Sequence, residues 1–289
     1  MKTRPLFVLL PVLLLLLVAS SGCRHETDAQ PDTCRLGSTT DQLIETSGKL
    51  TDEVSRTFTY GTAGLSTMTE VSTSQQAQFT VELSGDRATR AVSGTDVLAL
   101  TYGNATQPTS ATFSRGGKSQ STFTMDYNAG GMLTRVAEVR QVLPANSLTI
   151  QRTYTFTYDA AGNLVNERDA FTLRDGLTLE QETEFTHDTR PSPYTRFAHR
   201  PLLTVMALSL GVETLPARFW QLRAPSAYKA YNLTASGSRA NLRESTSYVM
   251  TYDGSDRLTS QDQTALLYQS SVPTPVTKKN RQAFRYVCP

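Results

Sequence analysis

Leu148-Thr-Ile-Gln-Arg-Thr-Tyr-Thr-Phe-Thr-Tyr-Asp-Ala-Ala-Gly-Asn-Leu164 is the stretch that decides how this chain folds. Apart from Arg152, the even positions from Leu148 to Tyr158 are apolar: Leu148, Ile150, Tyr154, Phe156 and Tyr158. The odd positions, Thr149, Gln151, Thr153, Thr155 and Thr157, are all polar. A period of two belongs to a strand with one buried and one wet face. Asp159-Ala-Ala-Gly162-Asn163 then supplies turn chemistry, and Leu164 opens a second run that pairs back on the first.

Weaker copies of this unit recur. Tyr127-Asn-Ala-Gly-Gly131-Met-Leu133, Tyr158-Asp-Ala-Ala-Gly162-Asn-Leu164 and Tyr252-Asp-Gly-Ser-Asp256-Arg-Leu258 share Tyr-x-x-x-Gly/Asp-x-Leu. Tyr60-Gly-Thr-Ala-Gly64-Leu65 is a looser copy, and His187-Asp188 stands where another would carry Tyr-Asp. Tyr127, Tyr158 and His187 lie about 30 residues apart, the length of one hairpin of two long strands with its turns. Alternating runs separated by Gly85-Asp86, Gly103-Asn104, Gly116-Gly117 and Asp175-Gly176 fill most of the remaining chain. The expected fold is all-β: an antiparallel up-and-down meander of long hairpins, curled into a barrel or half-barrel.

Residues 188–225 break the pattern. Pro191 and Pro193 remove ladder donors. Leu202, Leu203, Val205, Met206, Leu208 and Leu210 suit one short helical insertion near residues 199–211, ended by Gly211. Such a helix caps an end or edge of the sheet, or forms a lid over a ligand cavity. In the second case Leu203, Met206, Leu210, Phe219 and Trp220 are the candidate ligand-facing residues.

The N-terminus reads as an export signal. Lys2 and Arg4 precede an apolar core from Leu6 to Ala19, followed by Ser20-Ser-Gly22-Cys23. The apolar run is shorter than the roughly 20 residues of a bilayer span. The cysteine after small residues resembles a bacterial lipoprotein signal, in which Cys23 is acylated and becomes the first mature residue; Ser20 departs from the Leu most often found there. Two or three acyl chains anchor stably where one does not. Arg24 in place of Asp favours the outer membrane, on its periplasmic or its surface side. The expected organisation is a signal peptide over 1–22, a lipidated tether over 23–45 and a β-meander domain over 46–289. Cys34 and Cys288 then remain as an even pair in an oxidising compartment and are expected to form a disulfide.

The quoted units resemble the Tyr-Asp (YD/RHS-type) repeats of bacterial surface and toxin proteins. Taken whole, residues 45–288 resemble uncharacterised lipoproteins common in Bacteroidota, a family of unknown function with a porin-like β fold. The break His187-Asp188-Thr189-Arg190-Pro191-Ser192-Pro193-Tyr194 is similar to, but diverged from, a Tyr-Asp-x-Lys-x-Asn-Pro-Phe-like element of that family. The resemblance implies architecture and compartment and brings no activity with it.

Little in the sequence points to chemistry. No nucleotide loop, nucleophile elbow or paired-cysteine metal site is present. His25, His187 and His199 have no ligand spacing, so neither a metal nor another cofactor is expected. His187 needs no role beyond its place in the repeat, and Glu180, Glu182 and Glu184 suit a solvated ladder of cross-strand charge pairs with Arg168 and Arg152. The chain has 28 basic and 26 acidic residues. Removing Lys2 and Arg4 leaves an even balance, which gives no pull toward nucleic acid. The sequence therefore points to a non-enzymatic, outer-membrane-anchored envelope lipoprotein with a structural or interaction role. The alternative is a carrier or binder of an apolar or glycan ligand within the curved sheet.

Overall fold

The computed structural model describes residues 33–142, 148–269 and 272–289. Cys23, the signal segment and the tether as far as residue 32 lie outside the described residues. The strands are β1 (Arg35–Ile44), β2 (Leu50–Gly61), β3 (Gly64–Ser72), β4 (Gln76–Ser84), β5 (Arg87–Ser93), β6 (Asp96–Thr101), β7 (Ser110–Arg115) and β8 (Lys118–Tyr127). They continue with β9 (Leu133–Arg140), β10 (Thr149–Tyr158), β11 (Leu164–Leu173), β12 (Thr178–Pro191), β13 (Arg223–Leu233), β14 (Arg239–Tyr252), β15 (Leu258–Leu267) and β16 (Val276–Val287). Each strand pairs antiparallel with its sequence neighbours, and β1 pairs with β16, so the meander is a closed barrel with no free edge. One helix, α1 (Arg200–Leu210), and a 3-10 turn, Pro216–Phe219, lie between β12 and β13.

Strict up-and-down order sorts the turns onto two rims. One, the near rim, holds both ends of the barrel chain and the turns 61–64, 127–133, 158–164 and 252–258, so every copy of the repeat sits there. The geometry of these turns explains the motif. Asp159 Oδ1 accepts from the backbone N–H groups of Ala161 and Asn163, as Asn128 Oδ1 does from Gly130 and Met132, and Asp253 Oδ1 from Ser255 and Arg257. Gly131, Gly162 and Asp256 take the positive φ at the fourth place after the tyrosine (74°, 81° and 57°). Leu133, Leu164 and Leu258 then turn inward and are almost fully buried. Tyrosines at this rim also reach backward: Tyr158 donates to the Leu133 carbonyl at 2.7 Å and Tyr286, outside the three copies, to that of Leu258 at 3.0 Å, whereas Tyr252 donates to Asp188 Oδ2. Tyr158 and Tyr286 each hook onto the leucine of the preceding unit. Tyr60 donates to the Leu36 carbonyl in the same way.

The wall is apolar inside and polar outside. Phe58, Met68, Phe79, Phe123, Tyr154 and Phe156 point inward and are buried, while their neighbours Thr57, Thr80, Thr124, Thr155 and Thr157 are exposed. Cross-strand ion pairs Glu82–Arg90, Asp126–Arg135 and Asp262–Arg281 stand on the outer face. Ten of the twelve large apolar side chains exposed among the described residues, including Val139, Leu177, Leu179 and Val276, are gathered at the far rim.

One boundary and one placement differ from those expected. Residues 35–44, read from sequence as the end of the tether, form β1 and close the barrel. Alternation is obscured there by the register shift between Leu36 and Ser38, and the inward positions Thr39 and Asp41 are polar. Cys34 and Cys288 are joined, with Cα atoms 4.1 Å apart, so the disulfide fastens the seam between the first and last strands. The helix begins within a residue of its expected place but neither caps an edge nor covers a mouth. It lies inside the barrel.

Candidate functional site: the plug and the cavity beside it

Residues 192–222 leave β12 at the near rim and fill the lumen. The reason is written in α1: from Pro201 to Leu208 every residue is buried, whichever side of the helix it occupies. A helix apolar all round is stable only when surrounded. Partners come from around the barrel. Phe197 packs on Phe58 of β2, Tyr194 on Phe284 of β16, and Trp220 on Tyr127 of β8. The C-terminal carbonyls of α1 are met by two side chains from the wall: Arg152 of β10 donates to Leu208 O at 2.8 Å, and Gln75 from the far rim to Leu210 O at 2.9 Å. A cation at this end also suits the helix dipole. Gly211 closes the helix in the left-handed conformation, φ 70°.

Ion pairs fix the returning half. Arg218 makes a two-pronged contact with Asp41 of β1, at 2.9 and 3.0 Å, and also pairs with Glu213 at 3.2 Å. Arg56 donates to Glu70 at 2.8 Å beside them. Burial pushes the Asp41 carboxyl up, but Arg218 and Arg56 more than offset this and hold it below the usual carboxylate range. Burial pushes Glu70 up, and Arg56 only partly offsets it. On the opposite wall Glu167 accepts the Ala217 N–H at 2.6 Å, with Asp169 two residues along the same face of β11. Burial, and then the Asp169 charge, raise Glu167 well above its ordinary value. Burial raises Asp169 to about 7, against the pull of its hydrogen bond to Glu167 and of Arg243 and Arg152.

Beside the plug, against β12–β16, the lumen keeps a cavity of about 150 Å³. Phe185, Tyr194, Tyr228, Tyr248 and Phe284 supply its aromatic surface; Gln221, Gln261, Gln263, Gln282 and Arg218 supply its polar groups. The side where Tyr248, Gln263 and Gln282 are only half-buried is its wetter side. His187 Nε2 and Gln221 Oε1 are 2.6 Å apart, which fixes the Gln221 amide.

Of the residues singled out from sequence, Leu203, Met206, Phe219 and Trp220 are brought together as buried packing of the plug, and Leu210 is half-buried at its far-rim end. None of the five lines this cavity. Cys34 and Cys288 are bonded, and Cys23 lies outside the described residues. Of the expected solvated charge ladder, Arg168 pairs with Glu180, but Glu182 and Glu184 pair with Arg239, and Arg152 points inward, where it is buried and bonded to Glu138. Arg56, Glu167, Arg218 and the cavity glutamines have no part in the sequence reading. Their signal was available: Arg56 stands in phase with Phe58, and Arg152 with Tyr154, at places the alternation reserves for inward side chains.

No protein-family model matches this chain, and no curated protein matches it by sequence. Among solved structures, a porin-like protein from Bacteroides uniformis matches with a TM-score of 0.52 and 14% identity, over 86% of this chain and 95% of that one. A porin-like protein from Bacteroides vulgatus gives 0.41 and 10% identity, over 88% of this chain and 99% of that one. The TcdB2–TccC3 structure gives 0.25 and 14%, over 83% of this chain and 15% of that one. The fold is thus that of the first of these, and at such identity the likeness extends to fold alone.

Proposed function

We propose that this chain is a non-enzymatic lipoprotein of the cell envelope, a plugged barrel that stands in water and is held at the outer membrane by acylated Cys23. The observation that carries this reading is the polarity of the wall. A membrane barrel needs an apolar outer band about 25 Å tall; here the outer face carries threonines and ion pairs, and the apolar side chains face in. Attachment then falls to the lipid. Cys23 is eleven residues from Cys34, which leaves the near rim within roughly 40 Å of the bilayer even with the tether fully extended. A structural or interaction role suits a lumen already filled by α1, since a carrier of apolar ligands needs the volume that the helix takes. The buried carboxyls Glu167 and Asp169 are packed behind the plug and do not line the cavity beside it.

Expression of the full chain and of Cys23→Ser in a Gram-negative host, with labelled palmitate, tests this. The native chain should carry label and sediment with outer membranes; the variant should be unlabelled and soluble without detergent. A variant that stays in membranes after a carbonate wash would show that the wall itself is inserted.

A further inference from the structure

Three tyrosines at the near rim repeat one construction. Tyr60 donates to the Leu36 carbonyl at 2.8 Å, and Arg35 lies over its ring, 5.2 Å from the centroid. Tyr102 donates to the Ala88 carbonyl at 2.8 Å, with Arg87 over its ring at 5.4 Å. Tyr286 donates to the Leu258 carbonyl at 3.0 Å, with Arg257 over its ring at 5.4 Å. In each case the arginine immediately precedes the residue whose carbonyl is bonded. The hydroxyl fixes the ring, and the ring face then holds a guanidinium at the rim. Arg190 lies over Tyr252 at 4.2 Å at the same rim. Lysine is absent from this rim among the described residues: Lys49, Lys118, Lys278 and Lys279 lie toward the far rim, and Lys229 lies within β13.

From these groups we infer that the near rim, in the sector from β16 round to β7, rests on an anionic phospholipid surface whose phosphates its arginines take. This deepens the envelope role proposed above and rests on it for which rim meets the membrane. The charge of the sector is one-sided. Beyond the neutral Glu82–Arg90 pair, its strand ends, turns and adjoining plug loop carry the exposed Arg35, Arg87, Arg196 and Arg285 against Asp86. Arg35, Arg87 and Arg285 have no ion pair among the described residues. The choice of arginine points to phosphate, since its planar fork binds oxyanions in pairs where lysine is a point charge. Tyrosine, apolar in its ring and polar at its tip, suits the level of the headgroups. The position agrees: Arg35 follows Cys34, and Cys23 lies only eleven residues away along the chain. Within about 8 Å of the headgroups, one Debye length, each arginine is attracted with little screening. This attraction is too weak to hold the chain alone, and it orients a chain already held by its acyl groups.

Co-sedimentation of the mature chain carrying Cys23→Ser tests this without the acyl anchor. The probes are vesicles of phosphatidylcholine alone and of phosphatidylcholine with about one-third phosphatidylglycerol. At low salt the chain should sediment with the anionic vesicles and not with the neutral ones, and added salt should release it. Arg35→Gln with Arg87→Gln should lower the partition about 25-fold, roughly fivefold for each charge near the surface. Lys49→Gln with Lys118→Gln removes the same charge from the far rim and should leave the partition unchanged. If the double arginine variant does not fold, Arg87→Gln alone, on an exposed turn, should still cost about fivefold. The inference is overturned by equal binding to both vesicles, by no binding to the anionic ones, or by equal loss in the arginine and lysine variants. Palmitate label without vesicle binding overturns this inference and leaves the Cys23 reading standing; vesicle binding without label does the reverse.

Discussion

Tyr158 shows how a repeat that looks decorative does mechanical service. Its ring is half-buried, and its hydroxyl donates to the Leu133 carbonyl of the preceding unit. Tyr158→Phe should therefore lower stability by about 1 kcal/mol, measured by urea unfolding, with the barrel otherwise intact. Gly162→Ala should cost more. Its φ of 81° is unfavourable to any Cβ, and the added carbon would meet Leu222 Cδ1 at 3.1 Å. A loss of about 1–2 kcal/mol is expected in the same measurement. At this scale the sequence was highly legible, because the tyrosine, the turn aspartate, the glycine and the leucine each do something local. The target of the tyrosine was not, since Leu133 is set opposite it by the register of β9 on β10, which the local pattern does not give.

The plug is the element whose existence was legible and whose place was not. Periodicity over Leu202–Leu210 identified a helix, and that part agrees with α1. A stripe on one side would have suited a cap or a lid, but Pro201, Leu202, Leu203, Val205, Met206, Ala207 and Leu208 leave no polar side apart from Thr204, which donates to the Arg200 carbonyl. An all-round apolar helix belongs inside. Leu203→Ala should cost about 2–5 kcal/mol, the usual range for a cavity opened in a close-packed core. The carboxyls behind the plug impose a pH dependence. The folded pKa of Asp169, about 7, exceeds the value of about 3.9 for an unfolded Asp, and Glu167 is raised in the same direction. A raised carboxyl favours the folded state most below its unfolded pKa, and that contribution is lost as pH rises toward the folded one. Stability should accordingly fall between about pH 4 and pH 7 from this pair. Asp169→Asn should flatten that slope and raise the thermal midpoint at pH 8, read by calorimetry across the range.

For the whole molecule, up-and-down order was visible in the hairpin spacing, but closure was not. Closure depends on β1, whose inward positions include Asp41 and Thr39 because they meet Arg218 and its surroundings rather than an apolar core. A charge that is intelligible only beside its partner from 177 residues away gives no local pattern to read. The seam formed by β1 and β16 is covered by the Cys34–Cys288 bond, which closes a loop of 254 residues. On the chain-entropy account such a loop stabilises by on the order of 5 kcal/mol. Cys34→Ala with Cys288→Ala should lower the unfolding midpoint, with β1 becoming the first strand to exchange its amide hydrogens.

The same bond makes the barrel chain a covalent ring. Every strand is already bonded to its neighbours in sequence, and the first and last are neighbours too, so where the polypeptide begins is a matter of biosynthesis and not of architecture. A circular permutant that joins the Cys34 and Cys288 ends by a short linker and opens at the far-rim turn 234–238 would keep all sixteen pairings and the plug. On the lipid anchoring proposed above, the native ends would then matter for one thing alone: which rim is turned toward the membrane.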